Sequence, residues 1–336
     1  MTAAALLSVL LGGVTTTSQW YGATPALTSY PLDRLGWDEC VRCTGAERLG
    51  AIVEVGDVRQ LDAARVSIIR DAVRAHGVIV LKRQNLTRAD QVALTGTLGD
   101  TVILPKAFRG QDPDPEHPAV ARITNFWHNG TWKSWQAGAY WHQDGQFWRR
   151  PLNNIVSVLY GAATPPSGGE TGFVDMRAAR VTLSPALLAR AANASIMASV
   201  LKIGDIKDRA TPEDLEAFPD VTHPVLASHV ADGGPLLYVG SEQMEVAGLE
   251  TPEAGKALLS MLLAHATSPA FTYYHSWEPG DILVWDNAQV LHHAFPYDND
   301  GVNKREFYRT QAWMMVPRRA EDEVEGLEEG KAKDEL

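Results

Sequence analysis

The sequence predicts an α+β fold in which a β-barrel or jelly roll carries flanking helices. Three observations lead there. Short apolar strands separated by turn-rich connectors recur through the chain, helical periodicity is confined to a few early and mid-chain stretches, and no internal repeat or interdomain linker interrupts the 336 residues. The composition, 45% hydrophobic and 21% charged, is that of an ordinary globular protein. A net charge of -11 and the lack of any basic run argue against a nucleic-acid surface. No apolar stretch reaches the ~18 residues that cross a bilayer.

Taken in order, residues 27–60 are mixed and turn-rich, ending in the apolar run Ala51-Ile52-Val53-Glu54-Val55. Apolar spacing at helical intervals predicts an amphipathic helix over 61–75. Residues 77–81 read as a buried strand, and 88–98 as a second helix, capped by Thr87 and closed by Gly99. Prolines and charges make 105–120 a loop. Trp127, Trp132, Trp135, Tyr140, Trp141, Phe147 and Trp148 then crowd one stretch and suggest a pocket wall or lid. Strands are expected at 154–160 and 172–174, with a loop at 164–169. Residues 184–202 look helical and lead into a polar insertion ending at Pro224. Strands at 234–238 and 271–277 bracket a helix at 253–266. The last two strands fall at 281–285 and 305–315.

Alternate side chains of an extended segment share a face, so His142 and Asp144 point one way and Gln143 the other. Two His and one carboxylate, with open positions opposite them, form the facial arrangement of non-haem Fe(II) oxygenases. A His-x-Asp alone is common by chance and more often marks a surface strand or turn. About 150 residues downstream, a strand and turn from Gly280-Asp281 through Trp285-Asp286-Asn287 lead to His292-His293. That separation suits a closed sheet whose opposite strands meet at one metal. Either histidine alone reads as a core or surface residue. Arg305, Phe307 and Arg309 follow at strand period and share a face. An arginine in a barrel mouth needs an anionic partner, because a buried unpaired charge is costly. A dicarboxylate fits that need, and Thr171, after Ser167-Gly-Gly-Glu170, adds a hydroxyl to the same carboxylate.

Together His142-x-Asp144, His292 and Arg305 resemble the iron and 2-oxoglutarate signature of the taurine dioxygenase (TauD/TfdA-like) family. Gly77-Val-Ile-Val-Leu81 with Asn85-Leu-Thr87, Gly168-Gly169-Glu170-Thr171, and Gly280-Asp281 through Asn287 also resemble family segments, in order, over 75–317. The resemblance implies a double-stranded β-helix (jelly-roll, cupin-like) core with flanking helices. It implies Fe(II) on His142, Asp144 and His292, with His292 preferred over His293. Thr171 and Arg305 would hold the distal carboxylate of 2-oxoglutarate, and Arg309 would lie near a substrate or co-substrate anion. The implied reaction uses O2 and 2-oxoglutarate to oxidise, most simply to hydroxylate, a small organic substrate, releasing succinate and CO2. Asp144 fills the place that related halogenases leave open for halide, so halogenation is not expected. There are departures. Arg305 lies two residues farther from the distal His than in taurine dioxygenase, and Leu104 and Gly138 stand where that enzyme presents His and Asn to the sulfonate. Taurine is therefore not the expected substrate.

The two ends read as addresses. Residues 1–26 resemble a signal peptide lacking a basic n-region, 27–318 hold the dioxygenase domain, and 319–336 form an acidic tail ending in Lys333-Asp334-Glu335-Leu336. The expected location is the endoplasmic reticulum lumen, with the cytoplasm as alternative and the KDEL receptor as a partner. Self-association into a homo-oligomer is left open. Three sequons, at Asn85, Asn129 and Asn193, are compatible with a lumenal chain, and Cys40-x-x-Cys43 suggests a local disulfide or two inert thiols. A lumenal hydroxylase of protein side chains and a non-catalytic barrel binding protein are the rival readings.

Overall fold

The computed structural model describes residues 49–104, 114–133, 138–148, 155–202, 206 and 210–314, and the backbone of Asp33–Gly36. The signal-like segment, Cys40, Cys43, Trp135, the domain limits and the tail with Lys333 to Leu336 lie outside the described residues.

The chain begins with β1 (Asp33–Gly36), β2 (Ala51–Glu54), α1 (Ala63–His76), β3 (Val78–Leu81), α2 (Arg88–Leu98), β4 (Gly99–Thr101) and β5 (Ala121–Thr124). It continues through β6 (Ile155–Ala163), β7 (Thr171–Asp175), α3 (Met176–Val181), α4 (Pro185–Ala191) and β8 (Ser195–Ala198). Then come α5 (Pro212–Ala217), β9 (Val221–Pro224), β10 (Leu226–Ser228), β11 (Pro235–Leu237), β12 (Glu245–Ala247) and α6 (Pro252–Ala266). β13 (Thr272–His275), β14 (Ile282–Asp286), β15 (Val290–Ala294) and β16 (Glu306–Met314) complete it.

β3 and β14 are continuous apolar runs because both their faces are covered. Ile79, Leu81, Ile282 and Val284 face α1 and α2 in one core cluster. Val78, Val80, Leu283 and Trp285 face the opposite way, meeting Phe173 and Tyr273 of a second sheet. The main sheet runs β1-β2-β3-β14-β6-β16-β4, with β5 also paired to β16. The second runs β13-β7-β15, antiparallel throughout. Its outer side packs on α3, α6, β8 and β11 around Val174, Leu236, Leu258 and Leu291. Two sheets around one apolar layer make the jelly roll, with helices outside.

The early helices follow the sequence closely. α1 buries Ile68, Ile69, Ala72 and Val73 on one stripe, and Asp62 caps it by accepting from the Arg65 amide. It ends at Gly77, whose φ of 71° is left-handed and where a Cβ would meet Val290 Cγ1 at 2.9 Å. Thr87 and Asp90 form a reciprocal capping box on α2, worth about 1 kcal/mol.

One expected helix is broken. Within 184–202 the α-helix ends at Ala191, Ser195–Ala198 is a strand paired on both sides, by β9 and β12, and Val200–Lys202 closes the stretch as a 3-10 turn. Ser184 caps α4 and Pro185 starts it, so the beginning of the helix was readable. Its end depends on strand partners at 221–224 and 245–247, which local periodicity does not report.

Candidate metal centre

His292 sits mid-strand on β15, where β7 pairs it with Phe173. On the other edge of β15, His292 exchanges both backbone hydrogen bonds with His142, at 2.8 and 3.0 Å. The two imidazoles are therefore cross-strand neighbours with ring centroids 4.1 Å apart. They do not come from opposite strands of the barrel, as the sequence separation suggested.

Asp144 also differs from expectation locally. His142 makes the bridge, but 144–147 form a turn rather than a continuing strand. The turn still brings the carboxylate to the imidazole face. His142 Nε2 lies 3.9 Å from Asp144 Oδ1, and His292 Nε2 lies 3.8 Å from Oδ2. One donor atom from each of the three falls within 4.8 Å of the others.

The protonation states suit a cation. Burial holds the His142 imidazole below the usual range and that of His292 well below it, so both are neutral near pH 7. His142 Nδ1 lies 2.8 Å from the Tyr140 carbonyl oxygen; an Nδ1–H there leaves the Nε2 lone pair facing Asp144. Burial raises the Asp144 carboxyl, but its charged and hydrogen-bonding neighbours, Arg309 foremost, leave a net lowering. Two neutral imidazoles and a carboxylate fit Fe(II).

His293 points the other way, with its ring edge-on to Trp141 and 4.4 Å from Phe295. The choice between adjacent histidines thus follows from strand alternation.

Arg305 is 3% exposed, its guanidinium 3.9 Å from the Phe307 ring centroid and 5.5 Å from that of Tyr297. Its Nε has no hydrogen-bond partner, and burial pulls its pKa down to about 10. No carboxylate among the described residues pairs with it. A buried cation in that state fits an incoming anion. Thr171 Oγ1 accepts from Trp277 Nε1 at 3.0 Å, and Trp277 packs 4.5 Å from Phe307, so threonine and arginine share an aromatic neighbourhood.

Arg309 also reaches the metal centre itself. Its Nη1 donates to Asp144 Oδ2 at 2.7 Å, and Gln311 Nε2 donates to the same oxygen at 3.0 Å. Sequence reading missed Gln311, although it continues the strand period of Arg305, Phe307 and Arg309. Both side chains also line a recess with Val102, Leu104, Pro118, Ala119 and Ala121.

Among the described residues little of the expected aromatic wall forms, and Trp135 lies outside them. Tyr140 does lie over His142, with centroids 4.7 Å apart. Trp141, one residue on, faces the other side and packs on Phe295. Phe147 and Trp148 pack with Phe218, Trp127 lies under Lys133, and Trp132 is 37% exposed.

The jelly roll, the His–Asp–His convergence and the buried guanidinium together define a non-haem iron, 2-oxoglutarate-dependent dioxygenase. Residues 39–311 match the family model described as "Taurine catabolism dioxygenase TauD, TfdA family", and the chain belongs to that family. It is 31% identical over 255 residues to the alpha-ketoglutarate-dependent 2,4-dichlorophenoxyacetate dioxygenase of a Burkholderia species, covering 71% of this chain and 82% of that one. It is 28% identical to the pentalenolactone F synthase of Streptomyces arenae, over 74% and 88% of the two chains. The crystal structure of a taurine dioxygenase from Burkholderia xenovorans superposes with a TM-score of 0.65 at 27% identity, over 89% of this chain and 93% of that one.

Proposed function

We propose that His142, Asp144 and His292 hold the iron, that Thr171 and Arg305 hold the far carboxylate of 2-oxoglutarate, and that the substrate is a small organic acid with an apolar body. When bound, the iron couples O2 and 2-oxoglutarate to oxidation of a substrate C–H bond, with succinate and CO2 leaving. The protein's part is to hold neutral imidazoles and an ionised carboxylate in a dry site, and to present a cation to each anion.

The observation that carries the substrate reading is the recess, apolar on the side of Val102, Leu104 and Ala121 and cationic at Arg309. Leu104 offers no hydrogen bond to a sulfonate. At the position of Gly138 a Cβ would lie 3.1 Å from His142 Cε1, so a polar side chain there would crowd the imidazole. The relative named for 2,4-dichlorophenoxyacetate, an apolar-bodied acid, supports the same class. Succinate release across a panel of carboxylic acids is the test, with aryloxy acids expected to exceed taurine. Leu104→Arg should abolish that turnover by filling the recess, while anaerobic iron and 2-oxoglutarate charge-transfer absorbance persists. Efficient sulfite release from taurine would sink the reading.

Residence in the endoplasmic reticulum is a separate proposal, supported by Lys333-Asp334-Glu335-Leu336 and by the exposure of Asn85, Asn129 and Asn193. Deleting the last four residues should send the protein into the medium. A cytosolic, unglycosylated full-length protein would refute it.

A further inference from the structure

We propose that Gln311 is a positioning residue that fixes the rotation of the Asp144 carboxylate for metal binding; this rests on reading His142, Asp144 and His292 as the ligands. Gln311 lies on β16, directly opposite Ser157 of β6, and is 5% exposed. Its Nε2 donates to Asp144 Oδ2 and to Ser157 Oγ, both at 3.0 Å. Ser157 Oγ also accepts from Asn287 Nδ2 at 2.8 Å. Asn287 Oδ1 in turn accepts from the Asp144 amide at 3.3 Å and from Trp285 Nε1 at 2.9 Å. The four residues close a ring that grips Asp144 at its backbone on one side and at its carboxylate on the other.

The ring has one sense. Asn287 Nδ2 also donates to the Ile155 carbonyl at 2.9 Å, so a flipped amide would set oxygen against oxygen there and nitrogen against the Trp285 donor. A flipped Gln311 amide would likewise turn its oxygen toward the Asp144 carboxylate. Arg309 supplies charge to Oδ2, and Gln311 supplies a second direction. Turning the carboxylate about its Cβ–Cγ bond lengthens both contacts, so the pair holds it where one flexible guanidinium would not. Partners of this kind typically set metal affinity by 10- to 100-fold.

The test is anaerobic Co(II) titration of the metal-free full-length protein, read by visible ligand-field absorbance beside its melting temperature. Gln311→Met, which keeps the bulk and removes both donors, should raise the Co(II) dissociation constant at least tenfold and shift the bands. Gln311→Glu should raise it further, because it sets a carboxylate against Asp144. A Gln311→Met constant within tenfold of wild type, or unshifted bands, overturns the proposal. If that variant does not fold, Ser157→Ala decides, and an unchanged constant there overturns it. His292→Ala separates the two readings. If it keeps wild-type Co(II) binding, the ligand assignment fails; if it loses binding while Gln311→Met does not, only the positioning role fails.

Discussion

Arg305→Met is expected to weaken 2-oxoglutarate binding by about 2–5 kcal/mol, roughly 30- to 4,000-fold, the usual cost of truncating one partner of a buried ion pair. The same change should raise the melting temperature of the protein without co-substrate. Those two signs differ for one reason. The guanidinium is stacked between Phe307 and Tyr297, its Nε lacks a partner, and burial already pulls its pKa down to about 10. Until an anion arrives, Arg305 is a buried charge whose removal relieves desolvation, and an unbranched thioether fills the same slot. Titrating 2-oxoglutarate against the iron-loaded protein, with a thermal melt of the co-substrate-free form, reads both. A variant that binds 2-oxoglutarate as tightly as wild type would place the anchor elsewhere, and Arg309→Met in the same titration would show whether it is there.

His292→Ala and Asp144→Ala should each abolish the anaerobic iron and 2-oxoglutarate charge-transfer band and reduce succinate formation to background, whereas His293→Ala should keep the band. The expectation rests on direction rather than proximity in sequence. His292 Nε2 faces Asp144 at 3.8 Å, while His293 sits against Trp141 and Phe295 on the other side of β15. An intact band in His292→Ala with loss in His293→Ala would reverse the assignment.

How much of this was legible follows from which interactions are local. α1 and α2 could be placed to within two residues because their apolar stripes, and the Thr87 cap of α2, lie within a few positions of one another; the Asp62 cap of α1 went unread. The His-x-Asp pair and the distal His carried the centre as residue types. Their geometry did not follow, since backbone pairing between 142 and 292 is a tertiary fact with no local signature. β8 was read as helix for the same reason: its strand character comes from β9 and β12. The aromatic stretch misled because density of rings says nothing of direction. Tyr140 and Trp141 are adjacent, and alternation sends one to the imidazole and the other into the far core. Gln311 was within reach, since extending the alternation from Arg305 by one more step lands on it.

The lacing of β15 has a consequence for how the protein acquires its ion. β7 holds one edge of this strand, with His293 opposite Gly172, and His142 holds the other. Gly172 leaves no slack, because a Cβ there would stand 2.7 Å from Phe295 and 2.8 Å from Trp141. A one-residue slip would turn every side chain of β15 over, presenting His293 in place of His292 and dispersing the donor set. A cation held by this donor set would therefore favour the correctly threaded sheet, binding chains in that arrangement and drawing others toward it by mass action. Iron supply during synthesis would then set the yield of well-formed molecules as well as the activity of each.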